Sequence, residues 1–392
     1  MNPHLINLEH SPCVPCNRLS ILKLSSKMPY PKFWVRMNHL LIGILDLRSR
    51  IGKFTTPWGI PSNSLYKIPQ FKIINDRLPD LLDARAIEII KRAKEKNKKI
   101  AVMWSGGIDS TAILTALLKN ISNADKEIIT IICDTNSVLE NMEFYKKYIT
   151  NTLPCLHYRT LDMNEEFLKT YILLHGDPGD CLFGPSSPKY QYFIDQGQHL
   201  EPWKNHFNKM KELLECPRID PQSYEPGFGE WYVNKVTNNL EEVGQAQYLS
   251  SIADWWFWTY YNFKWETCCQ IPFLFLRRDF SNIFSDASLQ EYAENTFFNT
   301  EKFQQWAYSN IKKSVPKDFN LHKNEVKRYI HEFTKDSNYL KYKSKSPSAP
   351  ANYDLITKAA FQPIYYKKNW QGILDDSLSM QTLKILLERY KG

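Results

Sequence analysis

The sequence predicts an α/β fold built on a doubly wound parallel sheet, and three observations carry that expectation. Residues 100–104 form a short all-apolar run that leads directly into a glycine turn. A second all-apolar run, interrupted only by Thr130, occupies residues 128–133, and between and after the two runs apolar residues recur at helical spacing. Apolar runs without alternation belong to strands covered on both faces, and strands alternating with helices build a parallel sheet whose ligands sit at the carboxyl ends of its strands.

In chain order, residues 1–78 carry short apolar runs broken by turn chemistry, as at Arg48-Ser49-Arg50, Pro57-Trp58-Gly59 and Pro61-Ser62-Asn63. They read as a small β-rich or irregular N-terminal module. From Pro79 to Asn97 a helix is expected, because Leu82, Ala86, Ile89, Ile90 and Ala93 share one face while Lys91, Arg92 and Lys94 take the other. Residues 100–104 are the first strand. Ala112, Ile113, Ala116, Leu117 and Ile121 then mark a helix, residues 128–133 a second strand, residues 141–149 another helix, and residues 171–174 a further apolar run.

Beyond Gly184 this rhythm is lost. Residues 185–290 read as a helical, substrate-specific insertion, and the intensely aromatic stretch 253–265 within it reads as core before it reads as a base-stacking platform. Helical patterns return from Glu291, including residues 324–333. The main domain is therefore expected over 79–350, and 351–392 as a C-terminal helical extension whose helix runs from Met380 to Tyr390.

Hydrophobic residues at 43% with charged residues at 23% exclude a disordered chain. The net charge of +8 favours anionic partners such as nucleotides, pyrophosphate or RNA, but it is spread over a long chain. Among eight cysteines only Cys13 and Cys16 have metal-like spacing, and no second pair completes a zinc site. The others read as free thiols, which places the chain in the cytoplasm. No apolar stretch is long enough for a membrane helix, since Trp255-Trp256-Phe257-Trp258 is soon broken by Asn262, Lys264 and Glu266.

The chemistry concentrates in two turns. Ser105-Gly106-Gly107-Ile108-Asp109-Ser110-Thr111 lies between a strand and a helix start, where unpaired N–H groups and the helix dipole favour a phosphate. The glycines allow close backbone approach, Ser105 and Ser110 supply hydroxyl donors, and Asp109 is suited to a magnesium ion. Taken alone, the turn could also be a flexible link with Asp109 as helix cap. It is not a Walker A loop, for no Gly-Lys-Ser/Thr closes it. The second turn, His175-Gly176-Asp177-Pro178-Gly179-Asp180-Cys181-Leu182-Phe183-Gly184, combines carboxylates with glycines after an apolar run.

The first turn resembles the signature of the PP-loop ATP pyrophosphatases. The second resembles the Gly-Glu-Gly-x-Asp-Glu-Leu-Phe-Gly loop of the synthetase domain of asparagine synthetases and lactam synthetases. That resemblance covers residues 99–184 well and 290–350 loosely. It implies an adenine-nucleotide alpha-hydrolase-like fold, ATP and Mg2+ as cofactors, and nucleotide contacts from Met103, Ser105, Gly106, Gly107, Asp109, Ser110, Thr111, Cys133 and Gly176. It further implies that Asp109 and Asp180 hold the metal, and that Asp177 takes the position of the family's catalytic glutamate, one methylene shorter. Pro178 and Cys181 depart from the family pattern.

Glu140-Asn141-Met142-Glu143-Phe144 is similar to the family's acidic helix start, and Phe297-Phe298-Asn299 with Phe303 to its Pro-Phe-Leu-Asp segment. The stretch from His322-Lys323 to Lys343 resembles the helix leading to an Arg-Pro-Lys motif. Lys343 is then the residue implied for the β- and γ-phosphates, with Lys341 and Lys345 as neighbouring alternatives. The chain starts Met1-Asn2-Pro3, without the cysteine nucleophile of the glutamine-using relatives, so glutamine hydrolysis is not expected.

The expectation is an AMP- and pyrophosphate-forming carbon–nitrogen ligase that adenylates a small-molecule or peptide acyl substrate for attack by an amine. A partner protein could supply ammonia. Two other readings stand beside it: a PP-loop enzyme modifying nucleobases or tRNA, which would add a nucleic-acid partner, and a nucleotide-binding subunit without turnover.

Overall fold

The structure is a computed structural model that describes residues 50–51, 66, 68–183, 188–215, 226–265, 268–269, 272, 276, 284–310 and 323–343. The N-terminal module lies largely outside these residues. Cys13, Cys16, Lys345, Glu266 and the expected helix over 380–390 also fall outside them.

Helix α1 (Leu78–Glu95) carries Pro79 in its first turn, where a fixed φ and a missing N–H are harmless. Asn97, at a φ of 51°, turns the chain out of the helix and into the sheet. Four strands form the sheet: β1 (Lys99–Met103), β2 (Ile129–Cys133), β3 (Cys155–His157) and β4 (Tyr171–His175), of which β1, β2 and β4 fall on the expected apolar runs. They pair in the order β3-β2-β1-β4, every pair parallel.

Side chains alternate between two buried faces, which is why the strands read as continuous apolar runs. Ile100, Val102, Ile131, Ile172 and Leu174 join the large core built on α1 and on helix α2 (Ile108–Asn120). Ala101, Ile132 and Leu173 face the opposite way, against Phe167 and Leu168 of α4 (Glu165–Thr170) and Leu289 and Tyr292 of α10 (Asp286–Asn295). The central strands are thus enclosed on both sides.

Four elements differ from the sequence-based expectation, α4 among them, since the sequence marks no helix between residues 149 and 171. The helix expected over 141–149 begins earlier, as α3 (Thr135–Glu140), because Asp134 and Ser137 form a reciprocal cap. It breaks at Asn141 (φ −151°, ψ 67°), whose side chain restarts a short helical turn over Met142–Phe144 by accepting from the Phe144 N–H; a π turn over Tyr145–Ile149 completes it. Strand β3 is an unpredicted three-residue edge strand. Helix α10 starts at Asp286, five residues before the pattern at Glu291, because Ser285 caps it by accepting from the Ser288 N–H.

After the sheet the chain is helical: α5 (Gly179–Leu182) and α6 (Pro188–Asp195) lead to α7 (Phe207–Glu215), α8 (Phe228–Glu242) and α9 (Ile252–Trp258). Helix α9 continues as a π turn over Thr259–Lys264, and every residue of both is buried. The aromatic stripe is therefore core. Arg50 is buried beside it, with its guanidinium over the rings of Tyr261 (4.6 Å) and Trp265 (4.4 Å) and donating to the Gln304 side-chain oxygen at 2.6 Å. Helices α11 (Glu301–Asn310), α12 (Asn324–Thr334) and α13 (Ser337–Tyr342) complete the described chain, and α12 packs on α2. No helix among the described residues is long and apolar enough to cross a membrane.

Candidate functional site

Strands β1 and β4 are neighbours with Met103 opposite His175, so the two turns after them leave the sheet side by side. This is the place where the strand order reverses: β1 runs on to β2 and β3 on one side, and the chain returns to β4 on the other. Such a reversal opens a crevice at the carboxyl ends of the strands.

The first turn is tightly built. Gly106 has a φ of +74°, and a Cβ there would lie 2.3 Å from the Ser137 carbonyl oxygen and 2.7 Å from Glu140 Cβ. Only glycine fits. Ser110 Oγ accepts from the Ser105 N–H at 3.2 Å and lies 3.0 Å from Ser105 Oγ, so the two hydroxyls are held together across the turn. Gly107 is the N-cap of α2 and contributes no capping side chain, which leaves the first-turn N–H groups of a thirteen-residue helix directed at the crevice.

The second turn lies on the first. A Cβ at Gly176 would fall 2.7 Å from the Ser110 nitrogen, and one at Gly179 would fall 2.6 Å from Asp109 Cγ. Here again the glycines are a condition of contact. Asp109 and Asp180 are brought together by this packing, and both accept from the buried ammonium of Lys323: Asp180 Oδ1 at 2.6 Å and Asp109 Oδ2 in a still closer contact. Lys264 adds a second ammonium 3.4 Å from Asp180 Oδ2. Burial draws both ammonium groups down, but the carboxylates outweigh it: Asp109 with Asp180 for Lys323, and Asp180 with neighbouring thiols and Tyr260 for Lys264. Both lysines end above the ordinary lysine value.

Lys343 is buried on the other flank of the Gly106 turn, where its ammonium donates to the Glu140 carboxylate and, at 3.1 Å, to the Glu140 carbonyl. Burial draws it down and Glu140 recovers only part, so it sits below the ordinary lysine value. Lys341 is exposed at the end of α13. Thr111 lies beneath the turn, with its hydroxyl accepting from Trp104 Nε1 at 3.1 Å. Met103 packs against the second core, and Cys133 is buried at the end of β2, its thiol pushed up by a hydrogen bond with Cys155 and by burial.

Asp177 is a third of the way exposed and meets a buried partner: its Oδ2 lies 3.2 Å from His175 Nδ1. On the far side of the ring, His175 Nε2 lies 3.1 Å from the Tyr292 hydroxyl, which donates to the Cys269 carbonyl at 2.6 Å. With its own proton committed, the Tyr292 oxygen must accept from Nε2–H. Tyr292 retains its proton because burial, with Cys269 and Asp177 nearby, pushes it well above the ordinary tyrosine value.

The donor set suits a divalent cation that arrives with its own ligands. Among the described residues no group of three or more His, Cys, Asp or Glu side chains converges as a metal cage. Asp109 and Asp180 nonetheless aim hard oxygen atoms at one cation-sized point, and magnesium is commonly held by one or two carboxylates with phosphate and water completing the shell. A cleft of about 390 Å3 is lined by residues that include Asn141, Phe144, Tyr148, Thr334, Asp336 and Tyr339.

The sequence pointed to both turns and both carboxylates but not to Lys323, Lys264 or Tyr292. Lys323 reaches Asp109 across 214 positions, and the sequence marked it only as the start of the stretch leading to Lys343, with no role of its own. Comparison of the chain with family models, curated proteins and solved structures finds no match.

Proposed function

We propose that this chain is an ATP-using ligase that forms AMP and pyrophosphate, adenylating a carboxylate or carbonyl for attack by an amine in the manner of the asparagine synthetase branch of the PP-loop enzymes. The observation that carries the reading is the contact between the two glycine turns at the reversal of strand order, with Asp109 and Asp180 converging on one cation. The sheet is then the central part of a doubly wound fold.

In this reading the nucleotide phosphates rest against the N-terminus of α2 and the hydroxyls of Ser105 and Ser110, where the dipole and free N–H groups stabilise negative charge. Magnesium, held by Asp109 and Asp180, would supply charge neutralisation on the departing pyrophosphate. An oxygen of the acyl substrate, seated in the cleft lined by Asn141 and Tyr339, attacks the α-phosphorus, and the bond to pyrophosphate breaks. Lys343 and Lys323 lie on the two flanks of the turn and would bring positive charge to that leaving group. An amine next attacks the acyl carbon; its C–N bond forms, the C–O bond to AMP breaks, and Asp177 takes the proton the nitrogen loses. The amine is ammonia, a second substrate or part of the same molecule, and the enzyme works in the cytoplasm.

A second reading, a nucleotide-binding subunit without turnover, draws on the ammonium of Lys323 lying where the cation would go. The nucleobase-modifying reading lacks comparable support, since the aromatic stripe it would use for stacking is buried. Product identification separates the readings: magnesium ATP is incubated with the full chain and pools of amino acids, ammonia and tRNA, and nucleotides are resolved chromatographically. AMP with pyrophosphate, lost in Asp109→Asn and dependent on an acyl and amine pool, is the expected result. ADP with phosphate would refute the proposal, and so would ATP binding with no cleavage under any pool.

A further inference from the structure

We propose that the Lys323 ammonium is a resident counter-cation: it fills the cation position between Asp109 and Asp180, so that the site refuses a free divalent ion and admits one only together with a nucleotide's phosphates, to which Lys323 then passes. The inference rests on the phosphate-site reading above but concerns how the site is gated.

The side chains concerned are nearly enclosed, with 2% of Lys323, 12% of Asp109 and 11% of Asp180 exposed. Two carboxylates, Asp109 and Asp180, face two ammonium groups, Lys323 and Lys264, and the Phe183 ring, 5.8 Å from the Lys323 ammonium, closes one side with apolar surface. A divalent ion entering alone would either meet two fixed positive charges or leave the Lys323 ammonium buried with no carboxylate. Both are costly in a poorly solvated site. A magnesium–nucleotide complex enters with phosphate oxygens that offer Lys323 new acceptors, so the positive charge displaced from the carboxylates stays paired.

The residue type and its backbone suit the exchange. A lysine ammonium is a compact charge on a flexible four-carbon stem and can pivot between acceptors, whereas an arginine fork would be tied to one geometry. Lys323 also holds a left-handed conformation (φ 56°, ψ 32°) immediately before α12. A side-chain-bearing residue adopts that conformation only at a cost, and Lys323 thereby stands just outside the helix rather than on its face.

The test is Mn2+ binding to the full chain, measured from the free-ion paramagnetic resonance signal with and without ATP, in the wild type and in Lys323→Met, which keeps the stem and removes the charge. The wild type should bind Mn2+ at this site only when ATP is present. Lys323→Met should bind Mn2+ alone at least about tenfold more tightly than the wild type, and Mn2+-ATP about tenfold more weakly, as expected for one buried unit charge. Lys323→Arg, which keeps the charge, should still exclude free Mn2+ and guards against a misfolded methionine variant; circular dichroism and a thermal melt check the fold of each.

Equal Mn2+ binding without ATP in wild type and Lys323→Met would overturn the proposal and leave the nucleotide reading standing. A gain in Mn2+ binding by Lys323→Met while no variant binds ATP would uphold the counter-cation and remove the nucleotide reading instead.

Discussion

At the scale of single residues, the site depends on glycines that hold two turns in contact. Gly179 lies in a helical turn that alanine would accept, so the only objection to a side chain there is the 2.6 Å approach to Asp109 Cγ. Gly179→Ala should therefore leave the fold standing and push the Asp109 carboxylate aside, weakening ATP binding about tenfold or more, or about 1.4 kcal/mol. Gly197→Ala is the matched control. Its φ of +71° makes a side chain unfavourable by about 1–2 kcal/mol of stability, but nothing lies within 4 Å of the added carbon, so ATP affinity should not change. Calorimetric titration of both variants checks the pair; equal loss of ATP affinity in the two would show that the Gly179 contact has no part in binding. Sequence pattern reveals such glycines because they fall in one short turn, whereas the lysines that answer the carboxylates come from distant elements.

At the scale of elements, helix α9 was legible as core because an unbroken aromatic run leaves no face for water. Which of its tryptophans matter most was not, since that depends on partners from α8. Trp255 Nε1 donates to Thr237 Oγ1 and Trp258 Nε1 to Asn239 Oδ1, each at 3.3 Å, while Trp256 Nε1 has no hydrogen-bond partner among the described residues. All three are fully buried, so replacement by phenylalanine removes similar volume from each. Trp256→Phe should be the mildest by about 1 kcal/mol, the net worth of the hydrogen bond the other two lose. Urea denaturation of the three variants measures this, and a Trp256→Phe cost equal to or above the others would contradict the assignment. The break at Asn141 and the strand β3 escaped the sequence for a related reason: a local cap set the first, and three residues are too few to show a period in the second.

At the scale of the whole molecule, the order β3-β2-β1-β4 explains why two turns seventy residues apart in sequence become neighbours: pairing of β1 with β4 puts Met103 beside His175, and the Gly106 turn and the acidic turn leave the sheet together. The apolar runs made the central strands legible, and their double-sided burial implied a parallel sheet. The segment between β4 and α10 was legible as helical and aromatic but not in its element bounds, because its helices pack by contacts among aromatic residues far apart in the chain. The central claim, that the paired turns bind a nucleotide's phosphates, is tested most directly by hydrogen exchange of the full chain with and without magnesium ATP. Added nucleotide should slow exchange in residues 104–111 and 175–183 together, and should do so far less in Asp109→Asn. No change in either segment at saturating ATP, or protection confined to another part of the chain, would contradict it.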